Sequence, residues 1–419
     1  MDSKSVRRSK KKKESEPEKP GTGLVVEAEV PSDKPGLPPE AAALTVVGIG
    51  ASAGGLEALS QLLPRLPGDL GLSYVVVQHL SPTYRSMMAQ LLSRETQMPV
   101  MEIQDNSRPE PNVVYITPPN RNVTLVDGLF CLVIPAKEAM PKPSVNLFFS
   151  SLAEQLGENA IGVILSGTGS DGAHGIHAIK ASGGFTFAQT PETAKYSGMP
   201  QSAVDTGSVD WTMAPEEIGP EIALVIQNRG RIPVATKAAN APATLKTLLA
   251  KVRTRTKVDF SQYKEPTLWR RIERRMAANH VVSLAEYLSL VDQKPVELEK
   301  LCKDILISVT SFFRDEEAFA ALQLTVQRLL KEKPSGEDIR VWVAGCATGE
   351  EAYSLAIVFS EELGRSFESQ RIQIFATDID MEAMAIARRG MFPAASLSHL
   401  SKDLVKRHFT QHGDQFEIS

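Results

Sequence analysis

The chain has 419 residues, 42% of them hydrophobic and 23% charged, with a formal net charge of −4 at pH 7. This is ordinary globular composition, enough for roughly two to four domains, and the near-neutral balance gives no general reason to expect a nucleic-acid partner. No apolar run approaches the ~20 residues of a membrane helix, so no stable membrane insertion is expected; the lysine-rich start lacks the apolar core of a secretory signal, and three scattered cysteines read as those of a reducing cytoplasm.

Residues 1–42 read as a disordered tail, because the basic run Lys10 to Lys13 is followed by Glu, Pro and Gly with little to bury. A solvated tail outweighs one that touches acidic lipid or nucleic acid. Residues 43–230 then alternate strand-like and helical patterns. The strand candidates are Thr45–Ile49, Tyr74–Gln78, Val113–Thr117, Asn122–Val126 and Ile161–Leu165, with a further one across 183–189. This alternation predicts an α/β domain with a doubly wound, mostly parallel sheet.

The stretch Thr45-Val-Val-Gly-Ile-Gly-Ala-Ser52-Ala-Gly-Gly55 reads as a buried strand, a glycine turn and a helix, with Leu56, Leu59, Leu62, Leu63 and Leu66 at helical spacing. Gly48, Gly50, Gly54 and Gly55 allow a sharp turn. Ser52 then sits near a helix N-terminus, where free N–H groups favour negative charge, as a nucleophile forming an oxyanion requires. The competing reading is a phosphate-binding loop, and the next strand separates the two. A dinucleotide fold wants an acid at its end, but Leu72-Ser-Tyr-Val-Val-Val-Gln-His79 ends in histidine. A third strand leads into Gly167-Thr-Gly-Ser-Asp171-Gly. Ser52, His79 and Asp171 at strand ends of one sheet can meet in one crevice as a nucleophile, a base and its orienting acid. Their chain order differs from that of the α/β-hydrolases. Gly198-Met-Pro200 reads as a loop beside that crevice. His174 and His177 lack a third ligand nearby, and Cys131, Cys302 and Cys346 are scattered, so neither a metal site nor a disulfide is expected.

Residues 231–242 form an Ala/Pro linker, and 243–320 turn helical. Within them Thr267-Leu-Trp-Arg-Arg-Ile-Glu-Arg-Arg-Met276 sets Trp269, Ile272 and Met276 on one side and Arg270, Arg271, Arg274 and Arg275 on another. Such a face is either solvated or reads an acidic protein. From 321 the pattern is nucleotide-like. Ile339-Arg-Val-Trp-Val-Ala-Gly345-Cys-Ala-Thr-Gly349-Glu350-Glu351 is strand, glycine turn and helix, and the following strand ends in Asp378 and Asp380.

The motifs Gly50-Ala-Ser52-Ala-Gly-Gly55, Gln78-His79 and Gly167-Thr-Gly-Ser-Asp171-Gly-Ala make residues 44–225 resemble the catalytic domain of the chemotaxis protein-glutamate methylesterases (CheB). The resemblance implies Ser52 as nucleophile, His79 as general base and acid, and Asp171 as the group orienting the imidazole. It implies hydrolysis of glutamate methyl esters on chemoreceptors, with glutamine deamidation in some members, and no cofactor for that half. Thr168 and Ala53 stand where the family usually has Met and Thr.

The second half resembles the chemotaxis protein-glutamate O-methyltransferases (CheR): Phe260-Ser-x-Tyr263 and the arginine helix look like their helical domain. Thr310-Ser-Phe-Phe-Arg314-Asp, Ala344-Gly-Cys-Ala-Thr-Gly-Glu-Glu351 and Ala376-Thr-Asp378-Ile-Asp380 look like the start of their Rossmann-like domain, residues 321–419 here. This implies S-adenosylmethionine bound by Arg314, Glu351 and Asp378, and a receptor read by the arginine helix. Ser308 stands where that family often has Asn. The chain stops at Ser419 with two strong strand candidates in this sheet, so little or no methyl transfer is expected. The rival from another class is a non-catalytic scaffold that binds receptor tails; a Rossmann oxidoreductase is disfavoured by His79.

Overall fold

A computed structural model describes residues 44–79, 87–135, 143–232, 241–332, 337–364, 371–397, 399–413 and 415–419. The expected tail, and residues 233–240 of the expected linker, lie outside the described residues. The first region runs β1 (Val46–Ala51), α1 (Gly55–Leu62), β2 (Ser73–Gln78), α2 (Met88–Leu92), β3 (Val100–Glu102), β4 (Val114–Ile116), β5 (Asn122–Val126) and β6 (Leu129–Val133). It continues through α3 (Val145–Leu156), β7 (Ala160–Ile164), α4 (Ala173–Ala181), β8 (Phe185–Gln189), α5 (Gly198–Asp205), β9 (Trp211–Met213) and α6 (Pro215–Arg231).

Seven strands form one sheet in the order β3-β4-β2-β1-β7-β8-β9, and every neighbouring pair is parallel. A parallel sheet needs cover on both faces. Leu59 and Leu62 of α1 and Ile218, Ile222 and Val225 of α6 cover one, together with Val47 and Ile49 of β1. Phe148, Phe149 and Leu152 of α3, Ile176 and Ile179 of α4 and Met199 of α5 cover the other. The chain leaves β1 toward β2 on one side and later returns to its other side as β7. The sheet therefore switches direction at β1, where the strand ends open a crevice.

Four expectations change. Gly48 and Gly50 belong to β1 and not to the turn: a Cβ on Gly48 would stand 2.7 Å from Phe149 Cε1, and one on Gly50 2.4 Å from Val145 Cγ1. They are glycine because α3 lies directly on the strand. Asn122–Val126 leaves the main sheet and pairs with β6 as an antiparallel hairpin. Residues 198–200 are the first turn of α5, not a loop. The arginine side of the next region is neither solvated nor free for a partner, for the following reason.

The second region packs α7 (Ala241–Thr256), α8 (Glu265–Ala278), α9 (Leu284–Gln293) and α10 (Val296–Leu306) around Leu248, Phe260, Ile272, Met276, Tyr287 and Leu301. Leu268, Ile272 and Met276 turn α8 into this core, and its opposite side meets the first region. Arg271 donates to the Lys180 and Ala181 carbonyls at 3.1 and 2.5 Å, capping the end of α4. Arg274 donates to the Gly184 carbonyl at 2.9 Å, to Asp304 at 2.5 Å and to Asp210, and it lies 5.3 Å over the Phe185 ring. Arg275 forms a two-pronged pair with Glu297 at 2.7 Å. Lys180 stands 3.4 Å from both Asp210 and Asp304. Burial alone would raise the Asp210 carboxyl; Arg274, Lys180 and Arg275 more than reverse this and hold its pKa below the ordinary value. Only Arg270 of the four arginines is exposed.

The third region holds α11 (Glu316–Glu332), β10 (Ile339–Ala344), α12 (Glu350–Leu363), β11 (Ile372–Thr377), α13 (Met381–Arg389), β12 (Met391–Pro393), α14 (Lys402–His408), β13 (Phe409–His412) and β14 (Gln415–Ile418). β10 and β11 pair in parallel, and β12-β14-β13 form a separate antiparallel sheet. Phe319, Leu322 and Val326 of α11 pack with Ile339 and Val343, which joins that helix to this core. Trp342 and Phe375 on the two-stranded sheet are 72% and 53% exposed.

Candidate active site

Three chain segments meet at the carboxyl ends of β1, β2 and β7. Ser52 follows β1; its N–H donates to the Ser166 carbonyl at 3.0 Å, and its own carbonyl accepts from Gly55 N at 2.9 Å and Gln78 Nε2 at 2.6 Å. Gly54 turns the chain with φ +74°, and a Cβ there would stand 2.6 Å from Ser166 Oγ. That is the glycine the turn requires. The backbone of His79, one residue past β2, donates to the Ala51 carbonyl at 3.1 Å, which fixes the ring beside the serine. Ser166 Oγ donates to the Ala53 carbonyl at 2.9 Å and accepts from Tyr196 N at 3.0 Å, so the third strand end grips the serine turn.

His79 Nδ1 lies 3.0 Å from Ser52 Oγ, and His79 Nε2 lies 2.9 Å from Asp171 Oδ2. A carboxylate accepts and cannot donate, so Nε2 carries the ring proton and Nδ1 presents its lone pair to the serine hydroxyl. The His79 and Asp171 side chains are 14% and 6% exposed. Asp171 is held from behind by the first turn of α3: Oδ2 accepts from Val145 N at 2.7 Å, and Oδ1 accepts from Asn146 N at 3.0 Å and Ser144 Oγ at 3.4 Å. A helix N-terminus is where unpaired N–H groups and the helix dipole favour a negative charge. Ser52 opens on a shallow depression of about 710 Å³, lined also by Leu56, Glu57, Ser60, Gln61, Gln78 and Lys195.

The structure thus brings Ser52, His79 and Asp171 into one hydrogen-bonded chain. Ser144, Asn146, Ser166 and Gln78 were not assigned supporting roles from sequence. A signal for the first two exists in Pro143-Ser-Val-Asn ahead of an apolar helix, which is an N-cap pattern. His177 faces away from the crevice: Nε2 donates to the Ser308 carbonyl at 2.8 Å and Nδ1 lies 2.9 Å from Ser208 Oγ.

In the third region, Gly345, Ala347 and Gly349 all have positive φ between β10 and α12. A Cβ on Gly345 would meet nothing within 4 Å, so the turn leaves an open cradle. Asp378 closes it from the end of β11: Oδ2 accepts from Ala347 N at 2.8 Å and Oδ1 from Asp380 N at 2.7 Å. Each oxygen keeps a second lone pair for a hydroxyl donor. Arg314 and Glu351 are exposed, and Arg314 donates to the Val309 carbonyl. Glu350, one residue before Glu351, is buried at the start of α12, and burial raises its carboxyl against the opposing bond from Thr348. The open turn and the exposed polar groups fit a nucleoside-type cofactor.

Comparison with known proteins follows this division. The CheB methylesterase family matches residues 47–222, the all-alpha domain of the CheR methyltransferases matches 243–306, and the CheR SAM binding domain matches 308–419. A putative protein-glutamate methylesterase/protein-glutamine glutaminase of Leptospira interrogans is 34% identical over 171 residues, covering 41% of this chain and 89% of that protein. The chain belongs to the CheB methylesterase family. A protein-glutamate methylesterase/protein-glutamine glutaminase of Burkholderia lata is 36% identical over 189 residues, 45% of this chain and 56% of that one. An uncharacterised 104.1 kDa protein of Rhodobacter capsulatus is 36% identical over 355 residues, 79% of this chain, and the chain spans 37% of its length. The crystal structure of the Thermotoga maritima CheB methylesterase catalytic domain is 31% identical, covering 44% of this chain and 98% of that one, with a TM-score of 0.41. Among the described residues no helix is long and apolar enough to cross a membrane.

Proposed function

We propose that the CheB-type domain, residues 43–230, is a serine hydrolase that cleaves glutamate methyl esters on a chemoreceptor-type signalling protein. The observation that carries this is the continuous chain from Ser52 Oγ through His79 to Asp171, with links of 3.0 and 2.9 Å. His79 Nδ1 takes the hydroxyl proton as Ser52 Oγ attacks the γ-carbonyl carbon. Ser52 N–H and Gly55 N–H are already bonded to the Ser166 and Ser52 carbonyls, so the backbone N–H groups of Ala53 and Gly54 are the ones of this turn that would stabilise the oxyanion. The C–O bond to the methoxy group breaks, His79 returns the proton, and methanol leaves. Water then hydrolyses the acyl-serine by the same transfers in reverse roles. Asp171 orients the imidazole and faces the charge it acquires. Glutamine side chains are a second substrate class by the same attack, with ammonia leaving. The names of the Leptospira and Burkholderia relatives support both chemistries.

The CheR-type portion, a helical domain at 243–320 and residues 321–419, is assigned to S-adenosylmethionine. Gly345–Gly349 would form the floor of its site, Asp378 would accept from ribose hydroxyls, and Arg314 and Glu351 would meet its charged groups. Bound there, the cofactor supplies an electrophilic methyl group for a carboxylate.

Methanol release from a methylated receptor fragment tests the esterase assignment. The full chain releases methanol and Ser52→Ala lowers the rate by several orders of magnitude, on the order of 10⁴–10⁶-fold. Near-full activity in Ser52→Ala would refute the triad. No release from either chain would favour a scaffold that binds receptor tails without turnover.

A further inference from the structure

Helix α4 starts without a cap of its own. Its N-cap position is Gly172, at φ +99°, which has no side chain to accept from the first turn. The acceptor comes from another helix: Asn146 Oδ1, in the first turn of α3, accepts from Gly172 N at 3.0 Å and from Gly175 N at 2.9 Å. The favour runs both ways, because Asp171, the residue before Gly172, accepts from Val145 N and Asn146 N in the first turn of α3. Two helix starts therefore exchange caps across their contact. The approach needs glycine: a Cβ on Gly172 would lie 2.3 Å from Ile164 Cδ1, and one on Gly175 would lie 2.4 Å from Phe149 Cβ.

We propose that Asn146 is a positioning residue of the hydrolase, holding the start of α4 against α3 so that Asp171 stays in register with His79. Asp171 Oδ2 takes Val145 N at 2.7 Å and His79 Nε2 at 2.9 Å, so one oxygen is shared between the helix start and the imidazole. If α4 slides on α3, that oxygen leaves His79 and the ring loses its orientation. Both bonds to Asn146 end on Oδ1, so the position demands an acceptor and not an amide. Aspartate supplies the same acceptor in the same place, and two facing helix N-termini favour its charge. Glutamine keeps the amide but moves the oxygen by one methylene.

The inference rests on the esterase assignment, and the test keeps the two apart. The full chain is assayed for methanol release from a methylated receptor fragment and for labelling by a fluorophosphonate, in which Ser52 Oγ bonds to phosphorus, fluoride leaves and His79 takes the proton. Asn146→Ala lowers kcat and the labelling rate together by about 10–100-fold with KM unchanged, as a misplacement of about 1 Å does. Asn146→Asp restores most of both, and Asn146→Gln does not. Ser283→Ala removes an N-cap that bonds Glu286 N at the start of α9, far along the chain, and leaves both rates at the wild-type level. If Asn146→Ala does not fold, the contrast between Asn146→Asp and Asn146→Gln decides. Labelling that needs Ser52 but ignores every change at 146 would overturn the clamp alone, as would an Asn146→Asp chain as slow as Asn146→Ala. A wild-type chain that labels no faster than Ser52→Ala would overturn the esterase assignment and the clamp with it.

Discussion

Replacing Arg274 with alanine will loosen the join between the esterase and helical regions, whereas the same change at Arg270, four residues earlier on α8, will be nearly silent. Arg274 is 4% exposed and its guanidinium binds the Gly184 carbonyl, Asp304 and Asp210; Arg270 is exposed. Removing one member of a buried charge network costs about 3–5 kcal/mol, because its partners remain desolvated and uncompensated. Lys180 still stands 3.4 Å from both carboxylates, and Arg275 stands 3.9 and 3.8 Å from them. These cations neutralise part of the deficit, so the lower figure, about 3 kcal/mol, is expected. An exposed arginine changes stability by about 0.5 kcal/mol or less. A chain of several regions need not unfold in one step, so the assay is amide hydrogen exchange with urea titration. In Arg274→Ala, protection falls along α8 and over residues 178–184 while β1 and β2 keep theirs. Combining Arg274→Ala with Asp304→Asn gives less than the sum of the two effects, because the second change removes a stranded charge. If Arg274→Ala and Arg270→Ala behave alike, the buried network does not hold the regions together and the reasoning fails.

Two further expectations concern the same framework. Burial lowers the His177 pKa, Lys180 adds to this, and the Ser308 carbonyl and Asp380 oppose it; His174 is lowered by burial and by His177 and His399. The folded state therefore binds fewer protons than the unfolded state below about pH 6.5. Stability rises with pH in that window and is lost as pH falls from about 6.5 toward the lower folded value. A thermal scan from pH 7.5 to 5.5 should show that slope, and His177→Gln, which keeps a neutral donor for Ser308, should flatten part of it; an unchanged slope would refute the assignment. Gly167→Ala sets a Cβ 2.2 Å from Met199 Sδ and 2.9 Å from Ser52 Cβ. Overpacking costs about 1–3 kcal/mol. Met199→Ala on top should leave the methanol-release rate low, because the contact with Ser52 remains, and should not restore the melting temperature, because it opens a cavity at a fully buried position.

The sheet and the placement of the three site residues were legible because local chemistry and global fold agree there. Val46–Ala51, Ser73–Gln78 and Ala160–Ile164 are short apolar runs rich in β-branched residues; Ser52 and His79 directly follow the first two, and a glycine turn carrying Asp171 follows the third. What was misjudged depended on partners distant in sequence. Gly48 and Gly50 look like turn residues until α3 is seen to lie on β1, and no local signal announces that contact. The arginines of α8 look like a surface until Asp210, Lys180 and Asp304 are brought together from segments tens of residues apart. Strands β3 and β9 are three residues long and half exposed at the two edges of the sheet, so neither shows the buried apolar run that marks the equally short β4. Ser166 holds the serine turn through the Ala53 carbonyl and Tyr196 N, backbone groups that the sequence does not distinguish, and the N-cap pattern at 143–146 marks a helix start without showing which second helix Asn146 meets.

Because one chain carries both the CheB-type domain and the CheR-type helices they come in equal copy number, and Arg271 and Arg274, which tie α8 to the end of α4 and the start of β8, hold them within reach of one another. Amounts of protein therefore cannot set the ratio of the two. Were a flexible receptor tail the substrate of both, and held near the molecule by its own tether, it would on leaving one region meet the other at an effective concentration on the order of millimolar. Were the CheR-type region to transfer methyl groups, against the expectation set by its two-stranded sheet, neither reaction would run far ahead of the other for want of encounter. Their balance would then lie in occupancy, in which chemical state of the tail each region retains longer, and not in how often the tail finds them.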